Sequence, residues 1–257
     1  MKKLFPVLVL SVGLVSVVSK AQIAVVKGDA SSAAEVSVNA AYSQNFNSLP
    51  APASTKPDKA EPLAWKNNVT LRGWFRDVGH SKGDCSASGA YVDAPAFFNY
   101  GLDGNPNRSV GFRNTQGNER DAAAAIVFLN ETGAPIKGVK ISYTGRQWRR
   151  QSEAATTLVV GWRFFGKEFN ADTFTARQKQ WWTDVPALTF TAPQLEGSNV
   201  VNGMAPECMK KFPATEVIFR RGVYPGEYFS IRWYYPTDPK STGNGLALDD
   251  VEIEFIK

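Results

Sequence analysis

Apolar and polar residues alternate over short stretches along much of the chain. In the stretch VKISYTG, Val139, Ile141 and Tyr143 share one side of an extended chain, and polar residues fill the other side. Apolar residues also recur at every second position of 229–235, FSIRWYY. A period of two is typical of strands that bury one face, so this alternation predicts an antiparallel sheet.

Glycine, proline, asparagine or aspartate bounds each of these stretches, and the stretches are regularly spaced along the chain. Short strands separated by such turn residues are typical of a sandwich or a barrel. We therefore predict a single all-β domain. Residues 168–180 fit either a short helix or a long polar loop. The predicted strands are 42–46, 70–75, 96–100, 109–112, 124–129, 138–144, 156–164, 187–191, 215–219, 229–235 and 246–255.

The last predicted strand, in GNGLALDDVEIEF, contains a break in its alternation. Leu246 and Leu248 fall on one side of an extended chain, whereas Val251 and the apolar residues that alternate after it fall on the other. The break lies at Asp249 and Asp250, a residue type that strands disfavour. One face can bury both apolar sets only if a residue is inserted, so we predict a β-bulge or bend at the two aspartates.

Residues 1–21 have the features of a secretory signal peptide. Lys2 and Lys3 form a short positive region, residues 4–18 form an apolar run, and small residues lead to a cleavage site after Ala21. A membrane anchor is the alternative, but this run is shorter than the ~20 residues that span a bilayer. The predicted location is therefore periplasmic or extracellular.

The chain divides on this basis into three segments. They are a signal peptide over 1–21, a flexible N-terminal segment over 22–41 and one β domain over 42–257. No C-terminal anchor and no further module is expected after the last strand.

The sequence has 257 residues and a formal net charge of +5. Three of these positive charges are Lys2, Lys3 and Lys20 of the leader, which has no acidic residue, so the mature chain carries only +2. Such a small charge gives no reason to expect a nucleic-acid partner. The mature chain also contains no apolar run long enough to span a membrane.

The chain contains two cysteines, Cys85 and Cys208. In an oxidising compartment the expected outcome is a disulfide between them. Closing so long a loop would constrain the unfolded chain by roughly 4–5 kcal/mol. A zinc site is not expected, because neither cysteine has another cysteine or a histidine at ligand spacing.

Catalytic motifs are scarce. The one histidine, His80, lies in a Gly/Ser-rich loop, and no serine is placed in a nucleophile elbow. An exposed loop histidine is therefore the favoured interpretation. Glu252 and Glu254 lie two positions apart on a strand and point the same way, as a carboxylate pair for glycoside cleavage would. The alternative for this pair is a solvated strand face.

Tryptophan is the richer source of candidate binding residues. Trp181 and Trp182 are adjacent, so an extended chain directs them to opposite sides, one towards the core and one towards solvent. Trp148 lies among arginines and a glutamine. Exposed indoles beside polar groups stack on sugar rings, so Trp148, Trp181 and Trp182 form a candidate ligand-binding set. Core or rim packing is the alternative for all three.

Several motifs resemble extracellular jelly-roll modules. The closing GLALDDV, residues 245–251, resembles the A-[IL]-D-D-[IV] strand of MAM-like and concanavalin A-like domains, and YSQNFNSLP, residues 42–50, is similar to their first strand. A group of secreted bacterial domains resembles the chain more widely, through LRGW, ISYTGRQWR, WTDVPALTF and PGEYFSIRW at 71–74, 141–149, 182–190 and 225–233.

This resemblance implies an antiparallel jelly-roll β-sandwich in which the first and last strands pair. It also implies a structural calcium ion near Asp249 or Asp250, with an oxygen ligand from Asn45 or Asn47.

The predicted function is a secreted, non-catalytic binding or surface-interaction domain whose partner is a glycan or another cell-surface polymer. Two alternatives remain open: a polysaccharide-active hydrolase or lyase that uses a carboxylate pair, and a purely structural component of the envelope or matrix.

Overall fold

In the computed structural model of the chain, the regular secondary structure is β-strand apart from two short 3-10 helices, Pro186–Leu188 and Pro206–Cys208, among the described residues. The described residues contain no α-helix. They therefore contain no helix that could cross a membrane. The segment 168–180, for which helix and loop were both open, is a loop. The described residues are 23–25, 37–38, 41–53, 65–78, 85–87, 96–113, 121–150, 155–196, 199–236 and 243–257.

The strands form two sheets. The first contains β1 (Ile23–Val25), β2 (Ser37–Val38), β4 (Trp74–Val78), β8 (Ala122–Asn130), β10 (Thr157–Gly166), β11 (Thr183–Asp184), β12 (Phe190–Thr191) and β15 (Tyr228–Tyr235). The second contains β3 (Ala41–Gln44), β5 (Cys85–Ala87), β6 (Ala96–Tyr100), β7 (Ser109–Arg113), β9 (Ile136–Arg150), β13 (Asn199–Val200), β14 (Met209–Val223) and β16 (Gly245–Ile256).

The predicted antiparallel sandwich is confirmed. Every described strand pair is antiparallel except β5 with β6. The strands from β7 to β10 alternate between the two sheets, and so do those from β14 to β16, as in a jelly roll. Two short strands, β1 and β2, fall inside the segment 22–41 that was expected to be flexible, and β1 pairs with β8.

Aromatic side chains fill the space between the sheets. Trp74 stacks on Trp233 with 5.7 Å between ring centroids, and Tyr143 meets Trp233 edge-on at 5.7 Å. Trp74 Nε1 donates a 2.7 Å hydrogen bond to the hydroxyl of Tyr42, and burial raises the pKa of Tyr42 to about 12. The alternation in VKISYTG and FSIRWYY thus correctly identified the inward-facing residues.

The bulge predicted in the last strand is present. Between Asp249 and Glu252, β16 advances three residues while β9 advances only two, and Asp250 adopts a left-handed backbone with φ of 47°. Leu248 before the bulge and Val251 after it consequently both face the core. At the same point β16 exchanges its second neighbour, pairing with β7 before the bulge and with β3 after it.

The first strand of the domain therefore pairs with the last, as the resemblance implies, whereas the Asp249 side chain bonds to β9 and to the Asp250 backbone. Arg146 Nε, on β9, donates to Asp249 Oδ2 at 2.8 Å, while Asp249 Oδ1 accepts the Asp250 backbone N–H at 2.8 Å. The Asp249 side chain is 1% exposed. Burial, with a smaller contribution from the Asp250 charge, raises the pKa of Asp249 from 3.8 to about 6, although Arg146 opposes the shift.

This raised pKa makes the stability of the protein depend on pH. Between about pH 4 and pH 6 the folded state holds a proton that the unfolded chain has lost, so ionisation costs the folded state free energy. The free energy of unfolding of the wild type relative to Asp249→Asn should fall by roughly 3 kcal/mol as pH rises through this window. Urea denaturation of both proteins over this pH range measures the difference.

Glu254→Gln removes an exposed carboxylate from the same strand and is the matched control. The change with pH for Asp249→Asn should exceed any change for Glu254→Gln over the same range. Equal pH dependence of the two variants would contradict the prediction.

Candidate functional site

The adjacent tryptophans differ in exposure, but a turn rather than an extended chain separates them. The side chain of Trp181 is 73% exposed, whereas Trp182 packs against the outer face of the first sheet beside Tyr234 and lies under the guanidinium of Arg232, 4.4 Å from the ring centroid. Trp181 has a positive φ of 75°. A bulky residue rarely adopts this left-handed conformation, and here it accompanies the turn that leads into β11.

The loop that carries both tryptophans runs from 167 to 182 and lies on the outer face of the first sheet. Its apolar residues Phe169, Ala171, Phe174 and Ala176 cover outward-facing residues of β4 and β8. This cover explains Ala123 and Ala125 at the alanine-rich start of β8, whereas Ala122 and Ala124 face the core between the sheets. The small outward-facing side chains leave room for the loop to approach the sheet closely.

Arg232 of β15 holds this loop in place. Its Nη1 donates to the carbonyl oxygens of Ala176 and Gln178 at 2.7 and 2.8 Å, and Nη2 lies 3.7 Å from Asp184 Oδ1. The residue is 2% exposed, and burial lowers its pKa to about 10, so the guanidinium remains charged at neutral pH. A buried cation with these partners fixes the loop through interactions that are costly to break.

Trp181 lines a cleft of about 440 Å³, which we call the tryptophan cleft. Its walls come from strands of different sheets, β10 and β14. Phe219 of β14 joins the walls by packing against Trp162 and Phe164, with ring centroids 4.9 and 5.3 Å apart. The lining residues are Trp162, Arg163, Phe164, Trp181, Thr183, Arg220 and Arg221.

A second cleft of about 640 Å³ lies on the outer face of the first sheet, and we call it the phenylalanine cleft. It shares Arg163 with the tryptophan cleft, so the two are neighbours on the surface. The Arg163 guanidinium lies 4.6 Å from the centroid of the Phe165 ring, and burial lowers its pKa. The lining residues are Arg163, Phe165, Lys167, Glu168, Phe169, Asn170, Thr173, Phe174, Thr175, Gln178 and Tyr228.

Trp148 requires a correction, because the structure places it in the interior. It is 1% exposed, its Nε1 donates to Ser109 Oγ at 2.9 Å, and its ring lies parallel to that of Tyr100. Gly203 covers the ring so closely that a Cβ there would come within 2.4 Å of it. A ring enclosed in this way has no face for a sugar, so the candidate set is reduced to Trp181 and Trp182.

The four residues implied as calcium ligands are close in the fold but are engaged with protein groups. Asn45 Oδ1 accepts the backbone N–H of Asn47, and Asn47 Oδ1 accepts that of Arg108. Asp249 is bound to Arg146 as described above, and Asp250 Oδ2 lies 3.8 Å from Arg146 Nη2. Within the described residues no three His, Cys, Asp or Glu side chains group as metal ligands do.

The calcium ion stays a prediction. To bind, it would have to compete with the protein groups that already contact these four side chains. A cation at the bulge would share the carboxylates with the guanidinium of Arg146. Comparing the melting temperature in calcium chloride with that in a chelator tests it. A calcium-dependent increase that Asp250→Asn abolishes would support the site.

The predicted carboxylate pair, Glu252 and Glu254, lines neither cleft. Glu252 and Glu254 are exposed on β16, and Glu252 Oε2 accepts a 3.4 Å hydrogen bond from Ser142 Oγ. Cys208 is buried with a free thiol. The side chain of Cys85 lies outside the described part of the structure, as does His80, so the disulfide stays a prediction.

Comparison with known proteins places the chain in no family. No protein-family model matches it, and no curated protein matches it in sequence. Solved structures give distant matches. Tailspike protein 4 of bacteriophage CBA120, in its enzymatically active domain, is 12% identical, with 72% of this chain and 19% of that chain covered and a TM-score of 0.36.

Two smaller structures match over most of their own length. The family 11 carbohydrate-binding module from Clostridium thermocellum, in complex with a β-1,3-1,4-mixed-linked tetrasaccharide, is 11% identical, with 77% of this chain and 95% of that chain covered and a TM-score of 0.34. The K3 cleaved adhesin domain of Lys-gingipain from Porphyromonas gingivalis is 12% identical, with 71% and 91% covered and a TM-score of 0.32. These likenesses are too distant to assign a function.

The role of Arg232 can be tested by removing its charge. Arg232→Met should lower the free energy of unfolding by roughly 2–4 kcal/mol, because two buried carbonyl oxygens lose a charged donor. Hydrogen exchange in residues 167–182 should accelerate more than exchange in the sheets. Arg221→Met, at a side chain that is 44% exposed, is the control and should cost less than about 1 kcal/mol. If the two substitutions lower the free energy of unfolding equally, Arg232 does not hold the loop in place.

Proposed function

We propose that the protein is a secreted, non-catalytic domain that binds a glycan or another cell-surface polymer in the tryptophan cleft. The exposed indole of Trp181 carries this proposal. It stands at a cleft whose other lining residues include arginines and a threonine. Sugars present C–H faces that pack on such a ring, and their hydroxyl groups accept hydrogen bonds from guanidinium groups.

The backbone of Trp181 supports a binding role. A non-glycine residue in the left-handed region costs of order 1–3 kcal/mol unless the surroundings compensate, and such residues concentrate at functional sites. Glycine would adopt the same turn at little cost. Folding alone thus gives no reason for a tryptophan at this position, because the residue is 73% exposed. Contact with a ligand supplies a reason.

The dimensions and position of the clefts also support the proposal. Each has a volume within the range of about 300–1,000 Å³ that is usual for small-molecule sites. Together they offer aromatic side chains interleaved with polar and cationic ones along the edge of the first sheet. A saccharide of several residues needs this combination of flat apolar surface and hydrogen-bond donors.

Glycan cleavage is the second function that the sequence left open, and the position of the carboxylates disfavours it. Glycoside cleavage ordinarily needs two carboxyl groups that flank the scissile bond. Glu168 is the one acidic residue among those that line the two clefts, and Glu252 and Glu254 line neither of them. A structural envelope component, the third possibility, predicts no ligand and is tested by the same binding experiment.

Secretion remains part of the proposal on the basis of the leader sequence, because residues 1–21 lie outside the described part of the structure. The resemblance of residues 245–251 to the closing strand of MAM-like and concanavalin A-like modules likewise supports an extracellular role. Mass spectrometry of protein exported by a bacterial host should give an N-terminus at Gln22.

Replacing Trp181 by glycine separates binding from folding. Trp181→Gly removes the indole and relieves the left-handed backbone, so the melting temperature should stay the same or rise. Binding to saccharides on a glycan array should be lost, with affinity in solution reduced by about tenfold or more. Loss of binding together with a stable fold is the expected result.

Tyr224→Ala is the matched control for this substitution. Tyr224 is a 53% exposed aromatic residue that lines neither cleft, so its removal should leave binding unchanged. If the wild type binds no saccharide, or if Trp181→Gly binds as well as the wild type, the proposed function is wrong.

A further inference from the structure

The cations of the tryptophan cleft come from both of its walls. Arg163 lies on β10 of the first sheet, whereas Arg220 and Arg221 lie on β14 of the second. Lys167 extends the same charge into the phenylalanine cleft, where Glu168 is the one acid of the lining. A cleft walled by one sign of charge focuses the electrostatic field and attracts ligands of the opposite sign.

The charges in this cleft are only partly neutralised by the protein. Arg221 Nη1 pairs with Glu227 Oε2 at 2.7 Å, and its guanidinium lies over the Phe164 ring. Among the described residues, neither Arg163 nor Arg220 has a carboxylate within ion-pair distance. Arg163 instead lies against the Phe165 ring, which contacts only one face of the guanidinium.

We propose that the ligand of the tryptophan cleft is an acidic polysaccharide. One of its sugar rings stacks on Trp181, and its acidic groups pair with Arg163 and Arg220. This inference rests on the proposed function and adds the chemical class of the glycan. Carboxylate and sulfate groups share the required chemistry, since both accept paired hydrogen bonds from the planar guanidinium fork.

A neutral glycan fits this cleft less well for a physical reason. A ligand that covers Arg163 and Arg220 removes water from two cations, and hydroxyl groups repay only part of the lost hydration. An acidic group restores it with a charge-assisted hydrogen bond, which is roughly twice as strong as a neutral one. Burial already lowers the pKa of Arg163, so an incoming anion would stabilise its charged form.

Single-stranded nucleic acid is the other polymer that combines flat rings with negative charge. The leader sequence favours the polysaccharide, because it directs the mature chain out of the cytoplasm. The small net charge of the mature chain also gives no extended basic surface for a nucleic-acid backbone. The experiment therefore includes a single-stranded oligonucleotide as the probe for this alternative class of ligand.

Isothermal titration of the full mature domain with matched ligands tests the proposal. The probes are hexagalacturonate, its fully methyl-esterified form, a heparin hexasaccharide, a neutral mixed-linkage β-glucan tetrasaccharide and a single-stranded oligonucleotide. At least one acidic saccharide should bind about tenfold or more tightly than the neutral probes, and its affinity should fall as salt is added. Binding of hexagalacturonate alone identifies a carboxylate ligand, and binding of heparin alone identifies a sulfate ligand.

Charge-neutral variants assign the effect to the cleft. Arg220→Gln changes an exposed side chain and should fold normally, and Arg163→Gln is the second variant. Each should weaken acidic-saccharide binding by about tenfold and neutral-probe binding by clearly less, because a neutral sugar loses only the contact of an uncharged acceptor with the guanidinium. Lys137→Gln removes an equal charge from an exposed position that lines neither cleft, and its affinity should match that of the wild type.

The outcomes separate this inference from the proposed function. If neutral saccharides bind as tightly as acidic ones, with dependence on Trp181 but not on the arginines, the domain binds glycans and the acidic assignment is wrong. If the oligonucleotide binds most tightly with the same dependence on Arg163 and Arg220, the polysaccharide assignment is wrong. If no saccharide binds, both fail together.

Discussion

The second sheet depends on β16, a strand that pairs with β9 along its whole length and with two different strands along its other side. β7 and β3 approach that side from the two ends, so β16 must adjust its register where one gives way to the other. The bulge at Asp249 and Asp250 makes the adjustment while keeping both apolar halves of the strand on the core. Arg146 then holds the bulge to the neighbouring strand through a buried ion pair. Two aspartates inside a strand thus serve the packing of the entire sheet.

A second constraint shapes the opposite face of the sandwich. The loop 167–182 covers part of the outer face of the first sheet. Apolar side chains of the sheet and of the loop therefore form further packed clusters outside the core between the sheets. Arg232 lies on the outward face of β15, where a charged side chain would ordinarily contact solvent. Here the loop buries it, and its guanidinium donates hydrogen bonds to the loop backbone. The loop turns sharply at its end, and the turn directs Trp181 outward while Trp182 packs inward. The exposed indole is consequently a product of the cover, since neither sheet would present it unaided.

Local alternation predicted most strands because one buried face imposes a strict period of two. It also located the bulge at Asp249, since only an inserted residue lets both apolar halves of a strand face the same core. It failed wherever a distant segment decides the environment. Trp148, with polar neighbours, fitted an exposed patch, but the segment around Gly203 encloses it. The partner of Asp249 is 103 residues away in sequence, and only the strand register brings Arg146 to it. Arg232 gave no signal at all, because no local pattern shows that a loop will cover a strand.

The tryptophan cleft has one wall from each sheet, joined beneath by Phe219. A polymer that contacts β10 and β14 at the same time crosses the seam between the two sheets. A polymer bound to both strands would oppose sliding of one sheet over the other. Attachment would therefore reinforce the sandwich mechanically under load, so that resistance to forced unfolding rises when the ligand is held. In a domain exposed to flow or to the movement of a cell surface, adhesion and mechanical strength would then come from the same few side chains.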